Sequence, residues 1–187
     1  MEGVLKREFL VSRYWIRFLG LVYFIVLTAL GGFVRIPLPF TPVPLTLQSF
    51  FVLFSGLVLG PQLAFFSQLG YLTLGVLGLP IFAGATSGFF HLCGPTGGYI
   101  FGFLLAAFLV GRFKDFARSA IAIFGLLTLA DLVLLLSGTL WLKYLFFLSL
   151  SQALSMGFYP FLFGDGLKVF FTTLAYQRMQ KRLKEIF

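Results

Sequence analysis

Acid is scarce in this chain: Asp and Glu together number six in 187 residues, against fourteen Lys and Arg, and charged residues make up only 11% of the whole. An average soluble domain carries roughly a quarter charged residues, so an ordinary water-facing surface is excluded. Cysteine and histidine are scarcer still. A single cysteine, Cys93, excludes an intramolecular disulfide, and a single histidine, His91, leaves no Cys/His cluster at metal-ligand spacing. Both are expected to be incidental loop residues. The glycine-rich stretches lack the lysine of a phosphate-binding loop. No nucleophile, base and orienting group recur at useful spacing, so the residues do not describe an enzyme.

What the chain has in abundance is apolar: 59% hydrophobic residues, a mean hydropathy of +1.01 and 27 phenylalanines. This predicts an all-α integral membrane protein. At about 20 apolar residues per span, the length accommodates about six transmembrane helices and no separate soluble or nucleotide-binding domain. The net charge of +8 does not point to nucleic acid, because the cations sit beside hydrophobic runs rather than on one continuous basic face.

Residues 1–17 mix Lys6, Arg7, Arg13 and Arg17 with Phe9, Tyr14 and Trp15, as a segment at the membrane interface would. The cations before an apolar run imitate a signal peptide. The run from Phe18 to Val34 is longer than a signal core and lacks a small-residue cleavage site, so a retained first span is expected. Further spans are expected over Leu45 to Gly60, Leu63 to Leu79, Tyr99 to Val110, Ser119 to Leu142, and from Pro160 to just before Arg178. Residues 18–180 would form one bundle, and residues 178–187 a basic tail. The broken apolar stretch from Lys143 to Tyr159 reads as a short helix or re-entrant connection.

Eleven cations fall on the side of the two termini, at 6–17, 112–118 and 178–184, and three on the other: Arg35, Lys143 and Lys168. The positive-inside rule then puts both termini in the cytoplasm. The minority cations face outward, and charges kept against the rule need a local reason. An outward pocket for a small molecule with an anionic end supplies one.

Two connections on that outer side are unusual. Arg35 to Pro44 carries four prolines, which fix φ and remove amide donors, so a stiff extended loop is expected there. Pro80 to Thr96 is uncharged and rich in Gly, Ser and Thr, and its glycines would let backbone amides approach a ligand. The last span opens on Gly164-Asp165-Gly166-Leu167-Lys168, where Asp165 and Lys168 share a helix face within apolar surroundings. Ionisable residues so placed mark function by default. A local ion pair closing the helix start is the plainer alternative. Asp131, near the middle of the fifth span, is open either to a functional role or to interhelical hydrogen bonding.

In combination, Arg35-Ile-Pro-Leu-Pro-Phe-Thr-Pro-Val-Pro-Leu-Thr-Leu-Gln48, Gly78-Leu-Pro-Ile-Phe82, Gly94-Pro-Thr-Gly-Gly-Tyr99 and Gly164-Asp-Gly-Leu-Lys168 resemble the BioY family, over roughly residues 18–180. These are the biotin-specific S components of energy-coupling factor (ECF) transporters. The resemblance implies a six-helix S-component fold that captures biotin from outside a bacterial inner membrane. It implies as partners a transmembrane coupling subunit and two ATP-binding-cassette ATPases, with no cofactor. Asp165 and Lys168 match the family's acid and base at the start of the last helix. Asp165 can accept a ureido N–H of biotin, and Lys168 can donate to a ligand oxygen.

Other expected ligand contacts each have a plainer reading. Thr86 and Ser87 in the third loop serve either the ligand or loop capping. Gln48 offers a polar contact. Tyr99 offers another or anchors its helix at the interface. Arg35 neutralises the valerate or snorkels to headgroups. The family's Ala-xxx-Ala docking motif on the first helix is replaced by Thr28 and Gly32. Two alternative functions stand beside biotin capture: an S component for another small vitamin, and a non-transporting membrane scaffold.

Overall fold

A computed structural model describes the backbone of residues 2–186 and the side chains of residues 14–180. The described elements are helix α1 (Glu2–Phe33), strands β1 (Arg35–Ile36) and β2 (Leu45–Thr46), and helices α2 (Gln48–Leu59), α3 (Pro61–Val76), α4 (Phe89–Leu92), α5 (Gly97–Phe113), α6 (Ala120–Leu145), α7 (Leu150–Gly157) and α8 (Tyr159–Ile186). Among the described residues, five helices, α1, α3, α5, α6 and α8, are long, and α2 is of intermediate length. The expected short helix before the last one is α7.

Local chemistry sets most boundaries. Gly60 turns the chain between α2 and α3 at φ +80°, a conformation open to glycine, and Pro61 follows where a missing amide costs nothing. Ser119 caps α6 by accepting from the Ala122 amide at 3.1 Å. Ser149 and Gln152 form a reciprocal capping box on α7.

Helix α5 sits at the centre, against α2, α3 and α6. Close approach depends on residues without side chains. A Cβ on Gly56 would fall 2.6 Å from the Val110 Cβ and 2.7 Å from the Ala107 oxygen, and one on Gly98 would fall 2.1 Å from the Trp141 Cβ. Such small-residue contacts bring helix backbones together where water supplies no driving force. The core holds Val52, Leu53, Leu57, Phe82 and Leu127, all at most 1% exposed. The outer surface is also apolar: Leu30, Leu105, Leu129 and Phe170 are exposed. A bundle apolar inside and out is suited to a hydrocarbon surround rather than to water.

By length and composition, two described helical stretches could cross a membrane unaided, Tyr14–Phe33 and Ala120–Leu145. Helix α2, at 12 residues, is only about 18 Å long, shorter than a hydrocarbon core of about 30 Å.

Several expectations change. The proline-rich stretch is not a simple extended loop. Its two ends pair as an antiparallel ribbon, Arg35 opposite Thr46 and Ile36 opposite Leu45, which turns the prolines back as a hairpin. Leu45 and Thr46 therefore belong to strand, and the second helix starts only at Gln48. The loop from Pro80 to Thr96 contains the short helix α4. Helix α1 runs without a break from Glu2, and the side chains of residues 1–13 and 181–187, on which the interfacial segment and the basic tail partly rest, lie outside the described residues.

The two ends of the bundle differ in charge. At the C-terminal end of α2, Lys114 donates to the carbonyls of Leu57 (3.0 Å) and Val58 (3.4 Å), where a cation meets the negative pole of the helix. Burial lowers the Lys114 pKa, with Asp115 acting the other way. Arg17 borders a depression with Leu59, Pro61 and Gln62 at this same end. The hairpin, the third loop and Arg35 lie at the other.

Candidate ligand site

The hairpin end of the bundle encloses a cavity. Its polar lining is Thr46, Gln48, Ser49, His91, Thr96, Tyr99, Asp165 and Lys168, and its apolar walls include Val43, Ile100, Phe103, Leu134 and Phe161. Helices α2, α5, α6 and α8, the hairpin and the third loop all contribute.

On the α8 side, Lys168 pairs with Asp165 Oδ1, and the two side chains are only 12% and 4% exposed. Ser49 at the start of α2 joins them. Its hydroxyl donates to Asp165 Oδ1 at 3.1 Å and accepts from Lys168 Nζ at 2.9 Å. Oδ1 accepts twice, which leaves Oδ2 as an acceptor, and the ammonium has used two of its three N–H groups. The cluster is thus fixed in place with one acceptor and one cationic donor to spare.

Behind the hairpin, Gln48 is 4% exposed and fully engaged. Its Nε2 donates to the Thr28 carbonyl at 3.3 Å and to the Tyr71 hydroxyl, and its Oε1 accepts from Thr46 at 3.3 Å. Tyr71 in turn donates to the Ile81 carbonyl at 3.3 Å. One amide therefore ties α1, the hairpin and the third loop together.

The third loop and α5 add neutral groups to the lining. His91 stacks on Phe82 with ring centroids 5.0 Å apart. Its Nδ1 lies 3.0 Å from Thr86 Oγ1 and its Nε2 lies 3.0 Å from Thr96 Oγ1. Burial lowers the His91 pKa. Tyr99 packs against Phe161 and donates its hydroxyl to the Gly157 carbonyl at 2.7 Å.

Of the seven residues singled out from sequence, Asp165, Lys168, Tyr99 and Gln48 line this cavity. Arg35, Thr86 and Ser87 do not. Arg35 is exposed, and its guanidinium fills the space beside Gly84, where a Cβ would fall 2.1 Å from Nη1. Thr86 turns to His91 and to the Ala83 carbonyl, while Ser87 is exposed. Gly84 in the third loop and Gly97 at the head of α5 serve packing, a Cβ on Gly97 meeting the Leu92 oxygen at 1.8 Å, whereas Gly88 has open space beside it.

Sequence reasoning passed over Ser49, Thr96 and His91. Ser49 follows the singled-out Gln48, Thr96 sits inside the quoted Gly-Pro-Thr-Gly-Gly-Tyr motif, and the only histidine of an uncharged loop was itself the signal. Asp131 is 5% exposed, and its Oδ1 has no partner among the described residues. It does not line the cavity, although Leu134 and Leu135, one turn on, do. No group of three His, Cys, Asp or Glu among the described residues could hold a metal ion.

The model of the BioY family matches residues 11–185. A probable biotin transporter BioY of Pyrococcus horikoshii is 41% identical over 157 residues, covering 84% of this chain and 91% of that protein. The biotin transporter BioY of Thermotoga maritima is 35% identical over 158 residues, covering 84% and 92%. Among solved structures, the S-component for biotin from an ECF-type ABC transporter, determined at 2.1 Å, superposes with a TM-score of 0.81 at 26% identity, over 88% of this chain and 90% of that one.

Proposed function

From the premise that this chain belongs to the BioY family, a family of membrane transport proteins and not of enzymes, we propose that it captures biotin as the substrate-binding S component of an ECF-type transporter. Its bundle would sit in a bacterial inner membrane as six spans, with both termini in the cytoplasm and the cavity facing outward. The segregation of Lys114 and Arg17 to the end opposite the cavity supports that orientation. The energy would come from an ECF module, made of a transmembrane coupling subunit and two ATP-binding-cassette ATPases.

The observation that carries the reading is the cluster of Ser49, Asp165 and Lys168. Biotin presents ureido N–H donors, a ureido carbonyl, an apolar sulfur-containing ring and a carboxylate. The spare Oδ2 of Asp165 suits a ureido N–H, and the spare ammonium N–H of Lys168 suits a ligand oxygen. Phe103, Phe161, Ile100 and Leu134 supply walls for the ring. Gln48 and Tyr99 hold the frame from below, and Arg35, Thr86 and Ser87 act through the hairpin and third loop rather than at the ligand. Isothermal titration of the detergent-purified protein with biotin tests this. Saturable binding in the nanomolar range, absent with thiamin and riboflavin, is expected; no heat with biotin would overturn it.

A further inference from the structure

In the cavity lining, His91 bridges two threonine hydroxyls, Thr86 Oγ1 and Thr96 Oγ1. The arrangement that keeps both bonds of Thr86 Oγ1, its donation to the Ala83 carbonyl at 3.2 Å and its contact with His91 Nδ1 at 3.0 Å, assigns the imidazole proton to Nδ1. Nε2 is then bare and accepts from the Thr96 hydroxyl. Thr96 occupies the N-cap position of α5, where a threonine side chain ordinarily accepts from the helix amides, and here it makes no such bond. Its hydroxyl proton is committed to the histidine instead, and its remaining lone-pair capacity is left toward the cavity it lines.

We infer that His91 is a specificity-determining residue, which fixes Thr96 Oγ1 as a hydrogen-bond acceptor for a ureido N–H of the ligand. The inference rests on the biotin reading. At neutral pH the only N–H donors of biotin are the two on its ureido ring. They point away from each other, and the cavity lining holds an acceptor on each of two helices, Asp165 Oδ2 on α8 and Thr96 Oγ1 at the head of α5. His91 does not touch the ligand in this arrangement; it acts through Thr96.

Protonation reverses the ordering. A charged imidazole carries N–H at both nitrogens, so Thr96 must accept from Nε2 and swing its own proton toward the cavity. There it opposes a ligand N–H, donor against donor. The charged or titratable groups around His91 are Asp165 and Lys168 of α8 and Tyr99 of α5, which line the same cavity, Tyr71 of α3 behind Phe82, and Arg35 of β1 behind Gly84. Burial keeps His91 neutral to lower pH than an ordinary histidine, so affinity should hold at neutral pH and fall only in the acid range below that in which an ordinary histidine titrates.

The test is biotin titration of the purified protein between pH 7.5 and 5, with thermal midpoints measured alongside. His91→Phe keeps the ring stacked on Phe82 and removes both nitrogens. It should weaken binding about three- to tenfold at pH 7.5 and flatten the acid fall in affinity. Thr96→Val should cost the same factor, the double variant no more than either, and Thr96→Ser almost nothing. Additive losses, or a His91→Phe protein with unchanged affinity and an unchanged pH profile, would overturn the inference while leaving biotin as the ligand. Failure of the unsubstituted protein to bind biotin would instead remove the reading on which it stands.

Discussion

The ammonium of Lys168 lies 2.9 Å from the hydroxyl of Ser49, more than a hundred residues away in sequence, and that hydroxyl donates onward to the carboxylate that Lys168 pairs with. Ser49 thus holds acid and base from a different helix and stops either from rotating about its own chain. Ser49→Ala removes one donor and one acceptor without changing either charge. Loss of about 1 kcal/mol in biotin binding is expected, with a thermal midpoint within a few degrees of the parent. Calorimetry on the variant reads it, and unchanged affinity would show that the pair holds its geometry alone.

Asp165 and Lys168 are nearly buried and joined to each other, so removing one strands the other. Asp165→Asn and Lys168→Met should each cost at least about 1 to 3 kcal/mol of binding. The double variant should cost less than the sum, because no uncompensated charge remains. A double-mutant cycle by calorimetry measures the coupling. Strictly additive losses would mean that the two groups meet the ligand independently.

Tyr71 offers a test away from the ligand. It is 1% exposed, accepts from Gln48 and donates to the Ile81 carbonyl, so Tyr71→Phe leaves a buried amide N–H and a carbonyl short of a partner at the root of the third loop. About 1 to 3 kcal/mol of stability should be lost, visible as a lower midpoint of thermal unfolding in detergent. Restoration of that midpoint by Gln48→Leu in the same chain would follow if the stranded amide is the cause.

The helices were legible because hydropathy and punctuation agree: Gly60-Pro61, Ser119 and Ser149 end or begin elements where the apolar runs suggest. The acid–base pair was legible too, since Asp165 and Lys168 are charges in an apolar run at helix spacing. What sequence could not show was pairing across distance. The prolines of residues 37–44 argue for stiffness, but the ribbon of Arg35 with Thr46 comes from bonds between residues that no local pattern links. Thr86 and Ser87 stand out as polar loop residues, whereas Thr96 and His91 reach the cavity only because the loop folds back over Phe82. Glycines are ambiguous in sequence for the same reason. Open space beside a missing side chain is filled by ligand or by protein, and at Gly84 and Gly97 protein fills it.

Cys93 makes the proposed sidedness measurable. It is the chain's single cysteine, it is free and exposed, and it sits in the third loop at the cavity end. A membrane-impermeant maleimide should therefore label the parent protein in intact cells. A Cys93→Ser chain carrying Arg118→Cys should label only after the membrane is opened. The reverse pattern would place the cavity on the cytoplasmic side.

Gly138 on α6 faces the ring of Tyr99, and a Cβ there would fall 2.3 Å from three of the ring's carbons. The ring has little freedom to yield. Its hydroxyl is held by the Gly157 carbonyl at 2.7 Å, and its face packs on Phe161, another cavity wall. Gly138→Ala would ordinarily favour a helix by up to about 1 kcal/mol, but here overpacking of about 1 to 3 kcal/mol opposes it and prevails. The displaced ring moves either into the cavity or away from Gly157. Gly138→Ala is expected to lower both the unfolding midpoint and biotin affinity, whereas Gly166→Ala, a helical glycine with open space around it, should raise the midpoint slightly and leave affinity unchanged. Equal behaviour of the two variants in thermal melts and titrations would show that Tyr99 is not a fixed part of the cavity wall.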